Sequence, residues 1–342
     1  MKKLLNTLYV TTQGAYVHRD GDAIVVRKEE DSLLRVPIHT LHGLVCFGRV
    51  SLSPPAMGMC SENNVSVSFL SEHGEFLARV QGPVAGNVLL RRQQHRVADD
   101  EAHSSLIAQS IVMAKIANCR NVLMRAIRDL KTPEPRMTQA VDRLGKTLET
   151  LMRQQHSAER LRGLEGDSAQ EYFSVFDSMI LANRETFAFR TRSRRPPLDA
   201  VNALLSFVYT LLVHDVRGAL EGVGLDPFVG FLHTDRPGRP SLALDLMEEF
   251  RPILADRLVL SIINRQQVSP KGFERAESGA VTMDTDTRRT VLEAWQKRKQ
   301  EEARHPFLDE TIPLGLYPHA QALLLARHLR GDLDAYPALV WK

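Results

Sequence analysis

The spacing of apolar residues changes once along this chain, and that change limits the fold more than any other feature. Up to about residue 81 the apolar residues come in short strand-like runs, at 9–10, 15–18, 23–27, 44–47, 65–70 and 76–80. Asp20-Gly21-Asp22 separates two of them as a hairpin turn, because glycine takes a positive φ at little cost. Ser53-Pro54-Pro55 starts one helix through residues 56–63, and Asn63-Asn64 ends it. After Gly82-Pro83 the spacing lies near 3.6 and stays there from about residue 87 to 333. The pattern predicts an α+β chain with a small β-rich N-terminal domain, residues 1–83, followed by a larger all-helical C-terminal domain, residues 84–342. Helices are expected over about 100–130, 137–154, from 157, over 198–220, from 241 to a break at Pro252, and over 254–268, 286–304 and 313–329. In the first of these, Leu106, Ile107, Ile111, Ala114, Ile116, Val122, Leu123 and Ile127 form the inward face.

Composition narrows the function classes. Lys and Arg total 44 against 41 acidic residues, so the distribution of positive charge matters more than its sum. Cys46, Cys60 and Cys119 show no paired or metal-type spacing, which suits a reducing cytoplasm and a packing role. The N-terminal apolar run is broken by Asn6 and Thr7, and no uninterrupted apolar run reaches the roughly 18–20 residues that span a bilayer. A soluble cytoplasmic protein with no membrane segment is expected. There is no P-loop, no dinucleotide-binding glycine signature and no convincing Ser or Cys nucleophile.

The chemistry-bearing residues gather in the stretch LDPFVGFLHTDRPGRPSLALDLMEEFRP. It sets His233 in a Gly/Pro/Arg-rich loop and then begins an apolar helix carrying Asp245 and Glu248. Carboxylates three apart share a helix face, and among Leu242, Leu244, Leu246 and Met247 they need a partner. A divalent metal is one such partner, and a solvated edge of an amphipathic helix is the other reading. Upstream, Glu165 lies between Gly163 and Gly166 early in a helix, where each glycine costs about 1 kcal/mol against alanine. The pair marks either a close approach or a frayed first turn. The densest basic stretch, NRETFAFRTRSRRPP, interleaves arginines with Phe187 and Phe189. It reads either as a phosphate- and base-contacting segment or as a solvated loop anchored by its two rings. His39, His42, His73, His95 and His103 lack a comparable acid pair, and His214-Asp215 reads as a packing feature. Carboxylates with one imidazole suit Mg²⁺ or Mn²⁺, and such an ion with arginine-rich flanks points to displacement at a phosphodiester.

The order of these pieces also resembles a known family. The Glu of LRGLEGDSAQEYF, the segment NALLSFVYTLL, and GLDPFVGFLHTDRPGRPSLALDLMEEFRP together resemble the CRISPR-associated endonuclease/integrase of the spacer-acquisition module, over essentially the whole chain. The resemblance implies that Glu165, His233 and Glu248 are catalytic metal ligands, with Asp245 a nearby acid binding the ion directly or through water. Gly163 and Gly166 would then let Glu165 reach the site, and Gly230 would let the loop bring His233 to it. The implied reaction inserts short DNA fragments into a repeat array by attack of a 3′-hydroxyl on a phosphodiester, with no nucleotide cofactor. Implied partners are double-stranded and branched DNA, a second copy of the chain joined through the β-rich domain, and a small ferredoxin-like protein of the same module. Charge and placement make Lys115, Arg184, Arg190, Arg192 and Arg239 the candidate DNA contacts. A structure-specific repair nuclease using water on the same ligands, and a non-catalytic DNA-binding scaffold, are the other two readings.

Overall fold

The computed structural model describes residues 6–63, 65–72, 76–80, 82 and 88–341. Pro83, Asn64, His73 and the side chain of His42, each named above, lie outside the described residues. The fold is α+β, in two compact units. One holds Met1–Gly86, Lys299–Glu301 and Pro313–Leu316; the other holds Asn87–Arg298, Glu302–Ile312 and Tyr317–Lys342.

In the first unit the strands are β1 (Asn6–Val10), β2 (Tyr16–Asp20), β3 (Ala23–Lys28), β4 (Asp31–Pro37), β5 (Leu41–Phe47), β6 (Ser51–Leu52), β7 (Ser66–Leu70) and β8 (Phe76–Val80). They form two four-stranded sheets, in the orders β1-β5-β7-β8 and β4-β3-β2-β6. β5 lies parallel to both β1 and β7, pairing Leu44 with Leu8 and Val67. Helix α1 (Pro54–Glu62) is capped by Ser53, whose side chain accepts the Ala56 N–H at 3.3 Å. Val17, Ile24, Leu44, Cys46, Ala56, Cys60 and Val67 share one apolar core. Burial raises the thiol pKa of Cys46 to about 12 and that of Cys60 to about 11, so both are inert packing groups. β4 has no counterpart in the sequence reading for a physical reason. It is an edge strand exposed on both faces, with Leu33 49% and Leu34 43% accessible, so burial imposes no alternation on it.

The second unit is mostly helical: α2 (Val88–Asp99), α3 (Glu101–Asp129), α4 (Pro135–Arg153), α5 (Ala158–Ser174), α6 (Ala200–Val223), α7 (Ser241–Met247), α8 (Arg257–Asn264), α9 (Thr285–Gln300) and α10 (Tyr317–Leu329). The helical expectation holds for most of this unit. Two short strand pairs, β9 (Phe273–Arg275) with β10 (Val281–Met283) and β11 (Glu302–Arg304) with β12 (Thr311–Pro313), interrupt the helices. Three-residue strands are too short to show a period, and β11 ends the charged helix at Gln300. Asp100 separates α2 from α3 because its carboxylate accepts the Ala102 and His103 N–H groups at 3.0 and 3.2 Å.

α3 packs against α4, α5 and a π-helical segment, Arg251–Asp256, and buries Ile107, Ile111, Ala114, Ile116 and Leu123. Leu106, expected inward, falls one position off that stripe and is 48% exposed. α6 is long and apolar enough by composition to cross a membrane, but Val201, Leu204, Leu205, Val208, Leu211 and Leu212 are buried where it packs against α7 and α10. Its C-cap, Gly224, has φ +91°, a conformation that favours glycine. The expected break at Pro252 takes the form of the π-helical turn between α7 and α8.

Candidate active site

The loop that carries His233 is fixed from four helices. Gln94 of α2 is fully buried; its amide donates to the carbonyls of Asp226 and Val229 at 2.8 and 2.9 Å and accepts the Asp226 N–H at 2.9 Å. Ser104 of α3 donates to the Phe231 carbonyl at 3.3 Å, and Arg162 of α5 to the Leu232 carbonyl at 3.0 Å. From α7, Asp245 does more than any of these. Its Oδ2 accepts the N–H groups of Phe231 and Leu232 at 2.6 and 3.0 Å, and its Oδ1 accepts the N–H of His233 at 2.9 Å. Oδ1 also lies 2.6 Å from His233 Nδ1. A carboxylate can only accept, so Nδ1 carries a proton, and in the neutral ring the free lone pair is then on Nε2.

Asp245 is fully buried and both of its oxygens are occupied by four donors, which makes it a positioning residue for the loop and the imidazole. Gly230 is required at the same place. A Cβ there would lie 2.7 Å from Asp245 Oδ2, 2.8 Å from Ser241 Cβ and 2.9 Å from the Ser241 carbonyl carbon.

Glu165 of α5 and Glu248, the residue just after α7, meet on a third residue. Lys115 of α3, expected at the surface as a phosphate contact, is instead 6% exposed. Its ammonium pairs with Glu165 and, at 2.6 Å, with Glu248 Oε2. A lysine buried at this depth needs compensating charge, and the two acids supply it. Burial would lower the Lys115 pKa, but Glu248 and Glu165 outweigh it and the net direction is upward. Arg251 adds a second cation, Nη1 to Glu248 Oε1 at 2.5 Å. Burial alone would raise the Glu248 carboxyl; Arg251 and Lys115, with a smaller contribution from His233, reverse that and bring its pKa from 4.5 to about 2. The stability this ionisation contributes is complete above the ordinary carboxyl range and is lost as pH falls through about 2. Among the described residues, no three His, Cys, Asp or Glu groups lie together closely enough to hold an ion as placed. The two glutamates converge on Lys115, while His233 turns its Nδ1 to Asp245.

Gly163 and Gly166 are not needed for packing, because a Cβ at either would meet nothing within 4 Å. Gly163→Ala and Gly166→Ala are therefore each expected to stabilise the protein by about 0.5–1 kcal/mol through helix propensity alone, read as a higher midpoint in urea.

The basic stretch divides. Arg190 is exposed, and Arg184 is exposed but tied to Asp177 at 2.9 Å. Arg239 is half-buried in the loop after His233. Arg192 is not a free surface contact: Nη1 donates to Asn202 Oδ1 at 2.7 Å, Nη2 to Ser206 at 3.2 Å, and the guanidinium lies 5.2 Å from the Tyr209 ring centroid. Phe187 and Phe189 are buried, packed on Phe273 and on Phe173 with Phe176 respectively, so they anchor the segment and present no stacking surface.

Arg251, Tyr209 and Gln94 went unread in the sequence. Arg251 had a usable signal, its i+3 spacing from Glu248. Tyr209 sits among the apolar residues of α6, yet its hydroxyl donates to the buried Asp256 at 2.6 Å and Arg251 lies 5.1 Å from its ring centroid. Glu249 turns away from the site. Its carboxyl, pushed up to about 7 by burial, accepts from Tyr336, Gln321 and the Leu339 N–H at 2.6, 2.9 and 2.7 Å and so holds the C-terminal segment.

Comparison with known proteins gives a consistent picture. The family described as CRISPR associated protein Cas1 matches residues 8–297. A protein of Chlorobaculum tepidum named CRISPR-associated endonuclease Cas1 1 is 52% identical over 344 residues, spanning 100% of both chains. Among solved structures, a chain of a Cas6-RT-Cas1–Cas2 complex superposes with a TM-score of 0.83 at 25% identity, covering 100% of this chain and 36% of that longer one. A casposase bound to integration product gives 0.83 at 22% identity over 98% of this chain and 94% of that one, a likeness of fold. The match over most of its length and the identity to a full-length relative show that this chain belongs to the Cas1 family.

Proposed function

We propose that this protein is a metal-dependent DNA endonuclease and integrase that inserts short foreign DNA fragments into a CRISPR repeat array. The observation that carries the reading is the convergence of Glu165 and Glu248 on one cation, with an imidazole whose Nδ1 proton is fixed by Asp245, three residues before Glu248. Two carboxylates and a neutral imidazole Nε2 fit Mg²⁺ or Mn²⁺, and the carboxylates already gather around positive charge. Glu165, Glu248 and His233 would hold the ion; Asp245 would not, having no free oxygen.

When bound, such an ion would supply charge withdrawal from the phosphodiester under attack and orientation of the 3′-hydroxyl. The protein's own residues set the conditions for that step. Asp245 holds the imidazole in the tautomer that leaves Nε2 available, and Arg251 with Lys115 keeps Glu248 ionised. Arg184, Arg190 and Arg239 would contact DNA phosphates, which fix position without reading sequence. Partners in this reading are double-stranded and branched DNA, a second copy of the chain through the β-rich unit, and a small ferredoxin-like protein of the adaptation module, in the cytoplasm. The solved Cas1–Cas2 complex supports a partner of that kind.

The test compares branched DNA substrates whose donor ends in a free or a blocked 3′-hydroxyl. Transfer requires the free hydroxyl as nucleophile, so joined product is expected from the first only. Equal cleavage of both, with no joining, would replace the integrase by a structure-specific nuclease.

A further inference from the structure

Lys115 does more than neutralise one buried acid. Its ammonium lies between Glu165 and Glu248, the two acids that the proposed function assigns to a shared divalent ion, while Glu248 already has a second cation in Arg251. These four groups cancel in formal charge. A divalent ion added to them leaves an excess of two positive charges at a site where Glu248 is 1% exposed and water screens poorly. We propose that Lys115 competes with the divalent ion for Glu165 and Glu248, so that the ion binds weakly to the protein alone and tightly once DNA phosphates bring negative charge. The proposal rests on the ligand assignment made above.

The geometry allows the exchange. Lys115 is anchored in the middle of α3, where Ala114 and Ile116 are buried, so its backbone is fixed. Its ammonium ends a flexible four-carbon stem and can leave two carboxylates for a nearby phosphate without moving the helix. Linkage then makes the effect reciprocal: whatever factor DNA adds to ion affinity, the ion adds to DNA affinity. An ion-loading step gated by DNA would keep the metal-loaded centre rare until substrate arrives.

The test measures Mn²⁺ binding directly, by the electron paramagnetic resonance signal of the free ion, with and without branched DNA carrying a blocked 3′ end. Wild type, Lys115→Met, Lys115→Arg and Glu248→Gln are compared. DNA is expected to tighten Mn²⁺ binding to wild type by about 10-fold or more. Lys115→Met is expected to bind Mn²⁺ about 10-fold more tightly than wild type without DNA, to lose most of the gain from DNA, and to melt at a lower temperature until Mn²⁺ is added. Lys115→Arg keeps the charge and should bind as weakly as wild type. A folded Lys115→Met that binds Mn²⁺ no more tightly than wild type would overturn the competition, and Lys115→Gln serves if the methionine variant does not fold. Failure of the ligand assignment reads differently: Mn²⁺ binding to wild type would then survive Glu248→Gln unchanged.

Discussion

Replacing Asp245 with asparagine is expected to lower stability by about 2–4 kcal/mol and strand transfer by about 100-fold or more. The substitution is nearly isosteric, so the effect comes from the lost charge and from hydrogen-bond direction, not from packing. Asp245 accepts three backbone N–H groups and faces the imidazole, and an asparagine amide has only one oxygen for them. Turned one way, its NH₂ meets the N–H groups of Phe231 and Leu232. Turned the other, it meets the N–H of His233 and forces Nδ1 to become an acceptor, which puts the ring proton on Nε2. Either arrangement leaves buried donors unpaired or disables the nitrogen assigned to the ion. Urea unfolding and a strand-transfer assay on one preparation check both parts. A variant as stable and as active as wild type would show that Asp245 positions neither the loop nor the ring.

The second large effect is expected at the imidazole itself. His233→Ala should reduce transfer by on the order of 1,000-fold, because one ligand of the assigned ion is lost and with it several kcal/mol of charge stabilisation. DNA affinity measured in chelator should change by less than about threefold, since phosphate contacts by arginine dominate binding. His233 is partly exposed, so the fold should tolerate the change.

How much of this the sequence carried follows from the length of each signal. α3 and α6 were legible because an apolar stripe sustained over six or more turns has no other reading. β4, an edge strand with both faces wet, and the three-residue strands of the second unit carry no period to detect. At the site, the shared helix face of Asp245 and Glu248 was visible as a spacing of three. Their different fates were not. Which of two such carboxylates meets the backbone N–H groups of a loop some twelve residues earlier depends on where that loop folds back, and only the close packing at Gly230 settles it. Lys115 illustrates the same limit. Charge alone made it a surface contact, whereas its partners lie on α5 and just after α7, brought to it by helix packing that no local pattern encodes.

The most direct test of the account is strand transfer on a branched DNA with a free 3′-hydroxyl, run with Mn²⁺, Mg²⁺ or chelator, for wild type and His233→Ala. The partner protein of the adaptation module is included. Joined product is expected with wild type in the presence of either ion, none with chelator, and almost none with His233→Ala although it still binds the DNA. Joining that survives both the chelator and the substitution would contradict the account.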